Sequence, residues 1–130
     1  MAETYYAARA RALVGTRFRP QGRNAQGLDC VGLVLATFGI SPGEVRRDYR
    51  LRGDHLDELR GELARHFRKV RRAVAGDVML MKIADAQLHL GVRTAAGFVH
   101  AHAGIGRVVE TPGAPEWPVV GLYRKRGKGR

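Results

Sequence analysis

The chain of 130 residues has a single cysteine, Cys30, which excludes an intramolecular disulfide framework and a zinc site built from several cysteines. No apolar run is long enough to span a bilayer, so we expect no membrane insertion. The first residues include an acid and lack the apolar segment of an export signal, so none is expected. The fold must therefore be held by packing, and this length suits one domain.

Acidic residues are also scarce: 12 Asp and Glu face 23 Lys and Arg, which gives a net charge of +11 at pH 7. Such an excess favours polyanionic partners. The basic residues form four separate clusters, and no helix-turn-helix pattern or row of aromatic residues accompanies them; the clusters lie at residues 17–23, 46–52, 65–72 and 124–130. Nucleic acid is therefore the less favoured partner, and an anionic bacterial envelope suits the same charge.

Helical patterns occupy the N-terminal half of the chain. Apolar spacing predicts helices at residues 3–14, at residues 30–39 and at residues 54–70, the last with Asp54 as N-cap and a basic end. Residues 16–27 are rich in Arg, Gly and Gln and are predicted to form a loop that leads into the second helix.

From residue 78 onward the apolar period becomes that of strands. Five strands are predicted, at residues 78–82, 88–93, 98–102, 107–110 and 119–124, and the short turns between them indicate antiparallel neighbours. Helices followed by strands predict one α+β domain over residues 1–124, with N-terminal helices packed on an antiparallel sheet of five to six strands. Residues 125–130 are expected to form a flexible basic tail.

Cys30 lies in the first turn of the second predicted helix, directly after Asp29, which can serve as its N-cap. A lone cysteine in an apolar run can be a small buried hydrophobe. It can also be a nucleophile, because a helix N-terminus favours an anion and lowers the pKa of a thiol. The residues around Cys30 leave both interpretations open.

Strand alternation places histidines on one side of two neighbouring strands. His89 lies between apolar residues that face the core, and His100 and His102 share one face of the next strand. Gly91 leaves room beside His89 for another element, and the start of the Cys30 helix is the candidate. A His-x-His metal site is the weaker alternative, because neither a second cysteine nor a pair of carboxylates completes it.

Several short motifs, taken in the order in which they occur along the chain, resemble the landmarks of the NlpC-type cell-wall peptidases, which are papain-like cysteine enzymes. The motifs are Gly15-Thr16-Arg17-Phe18-Arg19, Gly22, Gly27-Leu28-Asp29-Cys30-Val31-Gly32-Leu33-Val34, Ala75-Gly76-Asp77-Val78, His89-Leu90-Gly91-Val92 and Phe98-Val99-His100-Ala101. The resemblance covers roughly residues 5–124. The Val31-Gly32 form of the cysteine motif most resembles members encoded with phage tails or gene transfer agents.

The resemblance implies a papain-like fold, no cofactor, and hydrolysis of peptide bonds in the stem peptides of peptidoglycan. It assigns Cys30 as the nucleophile, His89 as the base and His100 as the third polar residue, which orients the imidazole. This assignment agrees with general chemistry, because a thiol needs a nearby base and the base needs a partner on its other nitrogen.

Phe18 departs from the family pattern, since it stands where the family usually has a tyrosine whose hydroxyl helps to form the oxyanion hole. Loss of such a donor costs about a hundredfold or more in other enzymes. Arg17, Arg19 or Gln21 is the candidate substitute. Val31 also replaces the usual serine. The residues expected to line the cleft or the oxyanion hole are Asp29, Arg17, Phe18, Gln21 and His102.

Two functional hypotheses follow from the resemblance. The first is a peptidoglycan endopeptidase that is made in the bacterial cytoplasm and acts at the cell wall as part of a phage-like tail, with tail hub or baseplate proteins as partners. The second is a structural tail-tip module that keeps the fold and has lost much of its catalysis. Phe18 favours the second hypothesis, and the complete set of Cys30, His89 and His100 favours the first.

Overall fold

The computed structural model describes residues 2–24, 26–42, 56–84 and 87–126. These residues form three helices and eight strands: α1 (Ala2–Ala12), β1 (Arg23–Asn24), β2 (Gly27–Leu28), α2 (Cys30–Phe38), α3 (Leu56–His66), β3 (Phe67–Lys69), β4 (Val78–Ala84), β5 (Gln87–Arg93), β6 (Gly97–His102), β7 (Arg107–Pro112) and β8 (Val119–Lys125). The α+β class is confirmed. The predicted cap Asp54, the basic cluster at residues 46–52 and the tail after residue 126 lie outside the described residues.

The main sheet has six strands in the order β3-β8-β4-β5-β6-β7, and every neighbouring pair is antiparallel. Strands β4 to β7 form the expected meander. Strand β8 then returns to the free side of β4, and β3 pairs with β8 at the edge. The predicted antiparallel sheet of five to six strands is therefore confirmed.

The third helix ends earlier than predicted. It stops at His66, and residues 67–69 form strand β3, in which Phe67 pairs with Lys125. Phe67 is buried and the two residues after it are exposed, a pattern that a helix end and a strand satisfy equally well. Pairing with β8 decides between them, and it also makes Lys125 the last residue of the sheet rather than the first of a tail.

The two faces of the sheet carry different apolar clusters. The helices cover one face, where residues of α2 such as Leu33 pack with the even-numbered residues of β5, Leu88 and Leu90 among them. The other face carries a smaller cluster, which consists of Met79, Met81 and Phe98 with Trp117 and Leu122 packed against them. Within the parts of the chain that the structure describes, no helix is long and apolar enough to cross a bilayer.

The Ala75-Gly76-Asp77 motif anchors the start of β4. Asp77 is fully buried, and its carboxylate accepts two hydrogen bonds of 2.9 Å from the Arg124 guanidinium and one of 2.8 Å from the Val74 backbone N–H. The backbone of Asp77 also accepts from the Arg93 N–H at 2.8 Å. A charged and bidentate pair of this kind has its hydrogen-bonding groups satisfied where it is buried. It therefore ties β4 to both β5 and β8.

Candidate active site

Helix α2 begins at Cys30, and Asp29 is its N-cap, as predicted. The Asp29 backbone is extended, with φ −98° and ψ −171°, and its Oδ1 accepts the Gly32 N–H at 2.8 Å. The first N–H groups of a helix have no partner within the helix, and the positive end of the dipole lies there. Cys30 thus stands at a position where backbone N–H groups can stabilise a negative charge.

Asp29 also holds the preceding loop against the helix. Its Oδ2 accepts a hydrogen bond of 3.0 Å from the Gln21 N–H, and its Oδ1 accepts one of 2.6 Å from the Arg23 guanidinium. Gln21 has a φ of 57°, a left-handed conformation that is uncommon for residues other than glycine. The carboxylate therefore fixes a tight turn directly beside the thiol. Asp29 thus caps α2 and also binds the loop that precedes it.

A cleft opens where β5 and β6 separate. The two strands pair from Gly91–His100 to Arg93–Phe98, and within the described residues the pairing stops there, so residues 87–90 diverge from β6. The opening forms a cleft of about 650 Å³, lined by Phe18, Pro20, Gln21, Asp29, Cys30, Ile83, Gln87, His89, His100, Ala101, His102, Ala103, Gly104 and Trp117. The Cys30 side chain lies beside the Leu90 backbone, which favours the anionic form of the thiol. The divergence lets Cys30, from the helix side, share one cleft with the histidines of the other face.

The histidines form a hydrogen-bonded chain across three strands. His89 Nε2 lies 2.9 Å from His100 Nδ1, and His100 Nε2 lies 2.9 Å from Thr111 Oγ1 on β7. Trp117 packs edge-on against both imidazole rings, with ring centroids 5.8 Å from each. Cys30, His89 and His100 thus line one cleft, and two residues that the sequence did not assign to the site, Thr111 and Trp117, contact the histidines.

Burial sets the charge state of the resting site. It raises the pKa of Cys30 from 9.0 to about 12, and the adjacent Asp29 carboxylate adds to the effect. It lowers the pKa of His89 from 6.5 to about 3, reinforced by His100 and His102, and lowers that of His100 to about 4, reinforced by His102. The lowered thiol pKa that a helix N-terminus can produce is not found here, because desolvation has the larger effect on Cys30. At neutral pH the site holds a thiol and neutral imidazoles.

No family model matches the chain, and no curated protein matches it. Several solved structures do match the chain. NlpC1 from Trichomonas vaginalis superposes with a TM-score of 0.70 at 17% identity, over 97% of this chain and 45% of that one. NlpC2 from the same organism gives 0.72 at 16% identity, over 98% and 47%. The NlpC/p60 domain of the peptidoglycan hydrolase SagA gives 0.59 at 17% identity, over 97% and 100%.

The chain has the NlpC/p60 fold. The likeness to SagA spans the whole of that domain, whereas the chain covers just under half the length of the two Trichomonas proteins. At these identities the likeness establishes the architecture of this chain.

Within the NlpC/p60 fold, four of the five residues expected at the cleft do line it: Phe18, Gln21, Asp29 and His102. Arg17 does not; it is exposed and forms an isolated β-bridge with Arg107. Arg19 lies outside the lining as well, with its side chain over the backbone of Gly27. Gln21 is thus the one proposed substitute donor that reaches the cleft.

His102 lines the cleft and is held by the turn that follows β6. Its Nδ1 accepts the Ile105 N–H at 3.1 Å, and its ring centroid lies 5.5 Å from that of His100. Among the residues that the structure describes, no three histidine, cysteine or acidic side chains converge as metal ligands would. The geometry of His102 fits a cleft wall.

Sequence reasoning missed Thr111 because the predicted fourth strand ended one residue too early, at Glu110. In the structure β7 continues to Pro112, and Thr111 faces Phe98 across β6 and β7. Since alternate residues share a face, Thr111 lies on the same face as His100. Extending the predicted strand by one residue would have found it.

Proposed function

We propose that this chain is a cysteine peptidase that hydrolyses peptide bonds in the stem peptides of peptidoglycan. The observation that carries the proposal is the shared cleft, which is lined both by Cys30 at a helix N-terminus and by the hydrogen-bonded pair of His89 and His100. The fold supports it, because SagA, a peptidoglycan hydrolase, has an NlpC/p60 domain of the same architecture.

Attack begins from the neutral thiol. The Cys30 sulfur forms a bond to the amide carbon of the substrate as its proton passes to His89. Nδ1 of His89 takes this proton, since Nε2 is engaged with His100. The carbonyl electrons move to oxygen, and the backbone N–H of Cys30 donates to the oxyanion. Proton transfer accompanies attack because a separated thiolate and imidazolium are disfavoured where both groups are buried.

The second half of the reaction returns the enzyme to its starting state. Protonated His89 gives its proton to the leaving amine, the C–N bond breaks, and a thioester joins the acyl group to Cys30. Water then attacks the thioester carbon while His89 accepts a proton from it. Collapse of this second intermediate releases the carboxylic acid product and returns the proton to the Cys30 sulfur.

The test is digestion of purified peptidoglycan and of defined stem peptides, with the new amino termini identified by mass spectrometry. We expect the wild-type chain to cleave, and Cys30→Ala and His89→Gln to be inactive while unfolding at temperatures close to wild type. His66→Gln is the matched control, because His66 lies on α3 outside the cleft lining. Equal digestion by wild type and Cys30→Ala would exclude the proposed mechanism.

A second candidate is a structural module that keeps the fold with weakened catalysis. Phe18 favours it, because this side chain lines the cleft and has no hydroxyl to offer an oxyanion. The same digestion separates the two candidates. A folded wild-type chain that cleaves no stem peptide, with Cys30 intact by mass spectrometry, would favour the structural role.

We further propose that the protein acts at the cell wall as a component of a phage-like tail, in contact with hub or baseplate proteins. The Val31-Gly32 form of the cysteine motif supports this placement. Mass spectrometry of tail particles purified from a producing strain tests it. We expect peptides of this chain in intact particles, and their presence only in the soluble lysate would contradict the assignment.

A further inference from the structure

We propose that Thr111 is a positioning residue: its hydroxyl accepts the Nε2 proton of His100, which leaves His100 Nδ1 bare and directed at His89. The role of this arrangement in catalysis rests on the proposed peptidase function. The arrangement itself rests on the three-strand chain of His89, His100 and Thr111, in which both contacts are 2.9 Å.

The proton count defines the required tautomer. When His89 takes the thiol proton on Nδ1, its ring becomes an imidazolium and carries a proton on Nε2 as well. That Nε2–H needs an acceptor, and the atom 2.9 Å away is His100 Nδ1. A proton on His100 Nδ1 would place two donors against each other at this distance. His100 must therefore hold its single proton on Nε2.

Because His100 is buried, the hydrogen-bond partner of its Nε2 determines which tautomer is stable. The residue is 1% exposed, so its Nε2–H has little access to bulk water. Thr111 Oγ1 is the acceptor at 2.9 Å. A buried N–H without an acceptor costs free energy, and the ring would then favour the tautomer that keeps Nε2 bare. Thr111 removes that penalty from the productive tautomer.

The local fold brings the Thr111 hydroxyl to this place. Gly97 pairs with Pro112, and a Cβ at Gly97 would overlap with the carbonyl oxygen of Thr111, so the missing side chain permits the close approach of β6 and β7. The branched side chain of threonine restricts χ1 and so limits the directions that its hydroxyl can take. Thr111 is therefore held in place by the edge of the sheet.

His100 is also kept in the neutral form that this scheme requires. Burial lowers its pKa to about 4, and the neighbouring His102 adds to the shift. A protonated His100 would carry hydrogen on both ring nitrogens and could not accept from His89. The neutral charge state and the hydrogen-bond geometry are thus both consistent with a His100 ring that accepts at Nδ1 and donates at Nε2.

The test compares wild type with Thr111→Val, which replaces the hydroxyl by a methyl of similar size, and with Thr111→Ser, which restores an oxygen. ¹⁵N chemical shifts of the His100 ring, measured at pH 7 without substrate, report the tautomer. We expect Nε2–H in wild type and Thr111→Ser, and a shift toward Nδ1–H in Thr111→Val. With a stem peptide, we expect Thr111→Val to lower kcat about tenfold at unchanged KM.

Thr94→Val is the matched control. Thr94 is buried in the turn between β5 and β6, and its hydroxyl donates a 2.7 Å hydrogen bond to Glu110 and accepts the Gly97 N–H at 3.0 Å, so the substitution removes a structural hydroxyl that is not bonded to His100 or Thr111. We expect it to lower the unfolding temperature and leave the His100 tautomer unchanged. The tautomer needs no substrate, so it tests Thr111 even if no peptide is cleaved. A wild-type ring protonated on Nδ1, or a Thr111→Val chain with wild-type tautomer and kcat, would overturn the proposal.

Discussion

His89 and His100 are hydrogen-bonded although they do not face each other across their strands. The residue opposite His100 is Gly91, and His89 lies two residues away on β5, so the 2.9 Å contact between the rings runs diagonally. Diagonal neighbours in an antiparallel pair are farther apart than direct partners and are bridged by large side chains. A Cβ at Gly91 would lie 3.1 Å from the Met81 side chain and 3.3 Å from that of Phe98, so the glycine lets these two residues pack closely on the face that carries the histidines.

Replacement of His100 should separate its role as acceptor from its role in packing. We expect His100→Leu to lower kcat about a hundredfold, because His89 loses the partner that orients it. His100→Asn keeps an oxygen near the position of Nδ1 and should retain more activity. Steady-state kinetics with a stem peptide measure both variants, and circular dichroism checks that each is folded. If the two variants were equally active, an acceptor at this position would be unimportant.

The buried histidines predict a loss of stability in acid. His89 and His100 have pKa values of about 3 and about 4 in the fold, below the ordinary 6.5 that the unfolded chain regains. Their contribution to stability is therefore complete above pH 6.5, and it is lost as the pH falls, because the unfolded chain binds these protons first. Each group contributes up to about 1.4 kcal/mol per pH unit in that range.

Urea unfolding of wild type and His89→Gln at pH 7 and pH 5 measures this loss. We expect the free energy of unfolding to fall more for wild type than for His89→Gln, because the variant has one fewer buried histidine to protonate. His66→Gln removes a histidine that does not line the cleft and should behave like wild type. Parallel losses in wild type and His89→Gln would show that His89 titrates normally.

Introducing a hydroxyl at residue 18 should test whether the cleft lacks a hydrogen-bond donor for the oxyanion. Phe18 lines the cleft together with Cys30, and Phe18→Tyr adds one hydrogen-bond donor there. We expect kcat to rise about tenfold or more with little change in KM, because the donor acts on the oxyanion rather than on the bound substrate. Phe18→Leu serves as the control for loss of the ring. A Tyr variant no faster than wild type would mean that the backbone N–H groups suffice.

Two glycines in helices should respond to alanine in opposite ways. A Cβ at Gly32 would overlap with the carbonyl oxygen of Gly22, so Gly32→Ala must push the loop away from the start of α2. We expect a loss of about 1–3 kcal/mol in the free energy of unfolding. Gly61 in α3 has no atom within 4 Å of such a Cβ, and Gly61→Ala should add about 0.5–1 kcal/mol. Chemical denaturation measures both, and a neutral Gly32→Ala would contradict the close packing.

Much of the site was predictable because short-range patterns determine it. The capping role of Asp29 follows from a polar residue before an apolar run, and the shared face of His89 and Gly91 follows from strand alternation. The order of the antiparallel meander follows from short turns. These features depend on residues near each other in the chain, where sequence and structure are directly linked.

Other features depend on contacts between distant residues and could not be predicted. Strand β3 forms because β8 returns to pair with it, a contact that the local pattern of residues 67–69 does not encode. The high pKa of Cys30 depends on how completely the surrounding elements exclude water, which outweighs its place at a helix N-terminus. The partner of His100 depends on the length of β7, a boundary that sequence patterns leave uncertain by a few residues.

Strand β7 is an edge strand of the six-stranded sheet, and Thr111 is its penultimate residue. Strand ends at a sheet edge open more readily than the centre of a fold, since fewer contacts hold them. Opening of these last residues would release Thr111 while the core around α2 stays packed. On heating, the orientation of the histidines would therefore fail before the protein unfolds, and the upper temperature limit of activity would be set by a local event at the edge of the sheet.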